Sequence, residues 1–159
     1  MKRLPKSLEP RHRYVFFEVE TLPNSGKVDE KSLERQIWFE SQNLFGDIVS
    51  SEARAELIEY DPPVGVVRCA HDRVDEIRSA LACVTSVEGE DVGVRVVGVS
   101  GTLNSGREKF SKPDWERVEV EDDGVTRVAW KSRDRLDFEA EETDEEGTVF
   151  IGATVHDFK

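Results

Sequence analysis

The sequence predicts an α+β fold, with two helices packed on one face of a four-stranded antiparallel sheet. Three observations carry that expectation. Residues 13–20 alternate with the period of two expected of a strand. Two stretches, one after Asp29 and one after Asp72, carry apolar residues at helical spacing. Between them, two β-type runs flank Asp61-Pro62-Pro63, a turn sequence that neither a helix nor a central strand accommodates.

The elements follow in order. Arg13-Tyr14-Val15-Phe16-Phe17-Glu18-Val19-Glu20 is rich in β-branched and aromatic residues and forms the first strand. Val15, Phe17 and Val19 point to one side, and Tyr14, Phe16 and Glu18 to the other. Leu22-Pro23-Asn24-Ser25-Gly26 is a loop. Asp29 caps a helix running to about Phe45, with Gly46 as its stop. Leu33, Ile37, Trp38, Ser41, Leu44 and Phe45 share one face of that helix, which is read as core. Ala53 to Tyr60 is the second strand and Val64 to Ala70 the third, joined as a hairpin. The second alternates poorly, since Arg54 and Glu56 stand beside Ile58, and so belongs at a partly exposed edge. Asp72 opens the next helix, with Asp75 three residues on in the capping position. Val74, Ile77, Leu81 and Val84 line its buried face. Val92 to Val99 is the fourth strand, Ser100-Gly101-Thr102 closes the domain, and Asn104 to Phe110 forms a short basic helix. The order β-α-β-β-α-β is the split βαβ, ferredoxin-like arrangement. It gives sheet order 4-1-3-2, both helices on one face and the other face open to a partner. RNA-recognition modules share this topology, so the class alone does not choose a function.

The chain has 159 residues, with 22 Lys and Arg against 34 Asp and Glu, a net of −12. Residues 1–110 hold 15 basic and 19 acidic groups, and residues 111–159 hold 7 and 15, so two-thirds of the excess lies in the last third. That divides the chain into a basic N-terminal arm (1–12), the α+β domain (13–110) and an acidic C-terminal extension (111–159). The extension is read as partly β and partly disordered. In it Val118-Glu119-Val120 and Val125 to Trp130 flank Asp122-Asp123-Gly124 as a hairpin, and Leu136-Asp137-Phe138 and Val149-Phe150-Ile151 are further β-like pieces. Glu139 to Glu146 is a solvated acidic run. Acid excess with 8 Lys against 14 Arg suits a protein adapted to high salt, where carboxylates keep the surface hydrated and salt screens their repulsion.

The total charge argues against an ordinary basic nucleic-acid binder and against an anionic membrane surface. No run of 18 apolar residues and no apolar segment after Met1-Lys2-Arg3 is present, which leads to the expectation of a cytoplasmic protein with neither membrane span nor secretory signal. Cys69 and Cys83 fit neither a zinc nor a disulfide pattern and are read as two buried thiols. His12, His71 and His156 are isolated, and there is no H-x-x-x-H, G-x-S-x-G or phosphate-loop motif. No catalytic residue, metal ligand or bound cofactor is therefore assigned.

Base stacking on a sheet needs aromatic rings on the first and third strands. The first offers Tyr14 and Phe16, but Val64 to Ala70 has none. Tyr14 and Phe16 are instead assigned to a partner interface, or to cover by the C-terminal segment. Phosphate-contact candidates are the N-terminal basic cluster, Lys2, Arg3, Lys6, Arg11 and Arg13, and the pair Arg107 and Lys109. Arg68 and Arg95 join them because each is a permanent charge on an otherwise apolar strand. For each arginine the competing structural reading is an ion pair with a nearby carboxylate.

Several stretches, taken at their spacing, resemble the archaeal ribonuclease P protein component 2 family. They are Arg13-Tyr14-Val15-Phe16-Phe17-Glu18-Val19, Asn43-Leu44-Phe45-Gly46, Ile58-Glu59-Tyr60-Asp61, Gly65-Val66-Val67-Arg68-Cys69, the Val74 to Leu81 helix with Ala80-Leu81-Ala82, and Gly98-Val99-Ser100-Gly101-Thr102. The resemblance spans residues 3 to 110 and does not include the extension. It implies the ferredoxin-like sandwich and a role as a non-catalytic subunit of the ribonucleoprotein endonuclease that removes the 5′ leader from precursor tRNA. The RNA subunit would carry the active site and its Mg²⁺. This chain would stabilise the RNA together with protein component 3, in a heterotetramer with two copies of each. On the matching positions the resemblance points to Arg13, Arg68, Arg95, Ser100, Gly101 and Thr102, then Arg107 and Lys109, as RNA contacts. Gly101 would let the backbone approach phosphate, with the hydroxyls of Ser100 and Thr102 as neutral donors. The alternative is a ferredoxin-like ligand-binding module or protein adaptor with no RNA role. A stand-alone RNA-processing enzyme would require metal-dependent cleavage by the protein alone.

Overall fold

A computed structural model describes residues 9–22, 25–110, 116–122, 125–132, 135–138 and 153–154. The chain forms two compact units, Met1–Ser111 and Lys112–Lys159.

In the first unit the apolar alternation of β1 (His12–Thr21) makes it the central strand. It pairs antiparallel with β3 (Val64–Ala70) on one side and β5 (Glu90–Ser100) on the other. β2 (Glu56–Asp61) adds outside β3, and β4 (Ser86–Val87) outside β5, for an order β2-β3-β1-β5-β4. The four long strands stand in the expected order, β5 being the fourth strand of the sequence reading. The short β4 is an addition. Glu88 and Gly89, at φ 51° and 85°, form a two-residue turn between the paired Val87 and Glu90.

Val15, Phe17 and Val19 face α1 (Glu30–Ala53) and α2 (Val74–Cys83), and pack with Leu33, Ile37, Val67, Cys69, Ile77, Leu81 and Val84 in one core. Each large apolar side chain buried there contributes about 1.5–3 kcal/mol. The phenyl ring of Phe17 occupies the space over Gly65, its partner on β3, where any side chain would collide with it.

Asp29 Oδ2 caps α1 by accepting from Ser32 N at 3.2 Å. Gly46, at φ 74° and ψ 177°, breaks the helix where the sequence places its stop. The chain then resumes a helical course to Ala53 and ends on Arg54 in the left-handed region. Ala53 thus closes a helix and does not open the second strand. Ser41 Oγ donates to Ser50 Oγ at 3.1 Å, tying the two arms of the break. Of the proposed core face Leu33, Ile37 and Ser41 are buried, whereas Trp38 and Leu44 are 54% and 46% exposed. The sheet covers a narrower stripe than the apolar spacing suggests, and Trp38 borders an open groove of about 350 Å³ between α1 and β2.

Asp72 does not cap α2. Arg73 occupies that position without a side-chain cap, and its guanidinium pairs with Glu76 at 3.0 Å and with Glu52 of α1. Cys69 is buried but Cys83, at the solvent end of α2, is exposed, so only one thiol is a core residue.

In the second unit β6 (Glu116–Asp122), β7 (Val125–Ser132), β8 (Arg135–Phe138) and β9 (Ala153–Thr154) form an antiparallel meander in chain order. Asp122 pairs with Val125, leaving a two-residue connection as the hairpin reading requires. Ala129 and Leu136 are buried. The acidic run at Glu139 to Glu146 and the piece Val149-Phe150-Ile151 lie outside the described residues.

Candidate nucleic-acid interface

The sheet face away from α1 and α2 is set by cross-strand register. Tyr14 stands between Arg68 and Ser100, Phe16 between Val66 and Gly98, and Glu18 between Val64 and Arg95. On β2 Glu56 lies opposite Arg68, Glu59 opposite Val66 and Asp61 opposite Val64. The poor alternation of this strand has a structural cause, a register shift between Leu57 and Glu59 that absorbs Ile58 as a bulge.

This face is not open along its middle. α3 (Leu103–Lys109) lies across it, capped by Thr102 Oγ1, which accepts from Ser105 N at 3.3 Å. Phe110 follows it. The Phe16 ring fills the space over Gly106, and the Phe110 ring fills the space over Gly98. Phe16 is 1% exposed, so its assignment to a partner interface is corrected. It is covered by the short helix of its own domain, because two glycines let the rings come close. Tyr14, in the next row, is half-buried.

Arg68 pairs with Glu56, and Arg107 of α3 reaches β2, donating from Nε and Nη2 to the two oxygens of Glu59. Arg95 Nη2 donates to Glu18 Oε2 at 2.7 Å, and the Glu18 side chain is 4% exposed. All three arginines on this face therefore have carboxylate partners. Arg68 and Arg107 remain 39% and 51% exposed. Lys109 is exposed and pairs with no described carboxylate.

The other candidates separate. Arg13 pairs with Cys69 in register, which puts it on the helix-facing side, away from Arg68 and Arg107. Arg11 is exposed, and its carbonyl accepts from His71 N at 3.1 Å. Lys6 lies outside the described residues. The Ser100 hydroxyl is consumed locally, donating to Thr102 O at 2.8 Å and accepting from Thr102 N at 3.3 Å. It shapes the turn and is no free donor. Gly101 has a negative-φ backbone, and a side chain there would meet nothing within 4 Å. The turn does not itself require glycine, so the bare backbone faces outward.

Sequence reasoning missed Glu56, Glu59 and Glu18 as partners, and the glycines that seat α3. The opposition of Glu56 and Arg68 could not be counted from the turn. Without the bulge Leu57 would oppose Arg68. Among the described residues no three His, Cys, Asp or Glu side chains converge as a metal site. Burial pushes the Cys69 thiol up to about 11, with Glu76 adding to the shift and Arg13 opposing it. That describes an inert core thiol.

Fold and surface define a ferredoxin-like α+β domain with a paired-arginine strip on one sheet face, followed by a small β appendage. Residues 13–111 match the model of the Rpp14/Pop5 family, and the chain belongs to that family. A ribonuclease P protein component 2 from Haloarcula marismortui is 36% identical over the full length of both chains. One from Halorubrum lacusprofundi is 33% identical over 99% of each. One from Methanosarcina barkeri is 34% identical over 110 residues, covering 69% of this chain and 79% of its own. The fold is also similar to a chain in the cryo-EM structure of yeast ribonuclease MRP, with a TM-score of 0.51 and 15% identity, covering 75% of this chain and 86% of that one.

Proposed function

We propose that this chain stabilises the catalytic RNA of ribonuclease P, without performing the chemistry, in the removal of the 5′ leader from precursor tRNA. The coarse role, protein subunit of ribonuclease P, is that of the family and of relatives alike along the whole chain. The observation that carries the finer reading is the pair Arg68 and Arg107, brought to one sheet face by Glu56 and Glu59 of β2 and still 39% and 51% exposed. Exposed guanidinium groups suit phosphate contacts, which position RNA without reading its sequence. Once freed from their carboxylates, such local cations would let a chain of net −12 bind RNA. In this reading Mg²⁺ is held by the RNA, the protein binds no cofactor, and the complex is cytoplasmic. Protein component 3 is the partner, in a heterotetramer.

Reconstitution tests the proposal. Catalytic RNA with the full protein set should cleave a precursor tRNA at a lower Mg²⁺ concentration than the same set lacking this chain. Unchanged activity on omission would sink the proposal, and cleavage by the protein without RNA would overturn its non-catalytic part. Arg68→Ala and Arg107→Ala should raise the Mg²⁺ requirement while leaving a cooperative melt.

A further inference from the structure

The edge strand presents two carboxylates to the arginines of that strip. The bulge at Ile58 sets Glu56 and Glu59 opposite Arg68 and Val66, which are two residues apart on β3. Glu56 and Glu59 are therefore neighbours on one face, separated by about 7 Å along the strand. Glu56 engages Arg68 Nη2, and Glu59 takes both Nε and Nη2 of Arg107. The side chains are 53% and 37% exposed, unlike Glu18 at 4%. Pairs this exposed add little to stability. What they do change is the field at the surface, because each cancels a cation where a phosphate oxygen would sit. For Arg107 the carboxylate occupies one bidentate edge of the guanidinium, the geometry that also suits phosphate.

We propose that Glu56 and Glu59 are placeholders for RNA phosphates. They hold Arg68 and Arg107 laid out on the sheet face and release them to the RNA backbone by exchange. An RNA that reaches both arginines while making other contacts displaces the carboxylates, and one that reaches a single arginine does not. The pair thus lowers affinity for RNA in general and raises discrimination. This rests on the reading of the face as an RNA interface.

The test is binding of the full-length chain to an in vitro transcript of a haloarchaeal ribonuclease P RNA subunit, at fixed salt and Mg²⁺. The double variant Glu56→Gln/Glu59→Gln should bind at least threefold more tightly. Glu56→Gln alone, which leaves the Arg107 clamp on α3 intact, should move the same way. Glu52→Gln, which removes one of the two carboxylate partners of Arg73 at the helices, should bind like wild type. Arg68→Ala/Arg107→Ala should bind at least threefold more weakly. If both glutamine variants bind no more tightly while the arginine variant loses affinity, the placeholder idea falls and the RNA face stands. If the arginine variant binds like wild type, the RNA face itself falls. Equal tightening by Glu52→Gln would reduce the effect to net charge and overturn the proposal.

Discussion

The rings of Phe16 and Phe110 meet with centroids 5.4 Å apart and planes at 41°. One ring comes from the central strand and the other from the end of α3, and each fills the space of a missing side chain. Together they fix the helix that carries Arg107 and Lys109.

Gly98→Ala and Gly106→Ala should each disturb that seat, since the added methyl collides with the Phe110 or the Phe16 ring. Overpacking of this kind costs about 1–3 kcal/mol. Denaturant unfolding gives the loss. Faster hydrogen exchange over residues 103–110, with β1 and β3 still protected, would show that α3 has come loose. Normal protection there would mean that the rings relax around the methyl.

Arg95→Ala should destabilise the first unit by roughly 1–2 kcal/mol, because the nearly buried carboxylate of Glu18 loses the charged hydrogen bond from Arg95. The value lies below that of a fully buried pair because Arg95 is itself 44% exposed. Adding Glu18→Gln should recover part of the loss. Equal stability of Arg95→Ala and wild type would contradict a structural role for the pair.

The two thiols should react differently. Cys83 is exposed and should take up iodoacetamide in the native protein, while Cys69 should react only on unfolding. With the folded thiol at about 11, against an ordinary 9.0, the unfolded state binds fewer protons between those values. Stability should therefore hold below about pH 9 and fall as pH rises towards 11, by on the order of 2 kcal/mol. Comparing wild type with Cys69→Ala at pH 8 and 10.5 isolates this contribution, and the variant should show the shallower fall.

Truncation after Ser111 should leave a cooperatively folding domain, because Met1–Ser111 is a compact unit with its own core. A non-cooperative melt of the shortened chain would show that the first unit depends on the second.

Strand order, both main helices and the division of faces on β1 were legible because each rests on periodicity and punctuation. Val15, Phe17 and Val19 alternate without interruption, and Gly46 does mark a break. Contacts that depend on register or on two distant glycines were not legible. The bulge at Ile58 moves Arg68 from Leu57 to Glu56, and no local pattern reports that displacement. Gly98 and Gly106 acquire meaning only when Phe110 and Phe16 arrive from elsewhere in the chain. The candidate arginines were found one by one as charges on apolar strands. The face of Arg13 follows from the same alternation as Val15, whereas the carboxylate partners of the other arginines required the fold.

Glu34 Oε1 of α1 accepts from Leu57 N at 3.4 Å on the outer side of β2. That contact, the bulge at Ile58 and the prolines that follow the strand interrupt the row of backbone groups on which a second chain would template. Acidic proteins ordinarily keep apart by repulsion, a protection that concentrated salt removes by screening. A guard made of geometry survives that loss. The β2 rim of this sheet is thereby guarded against strand-to-strand polymerisation in a brine, where charge alone no longer prevents it.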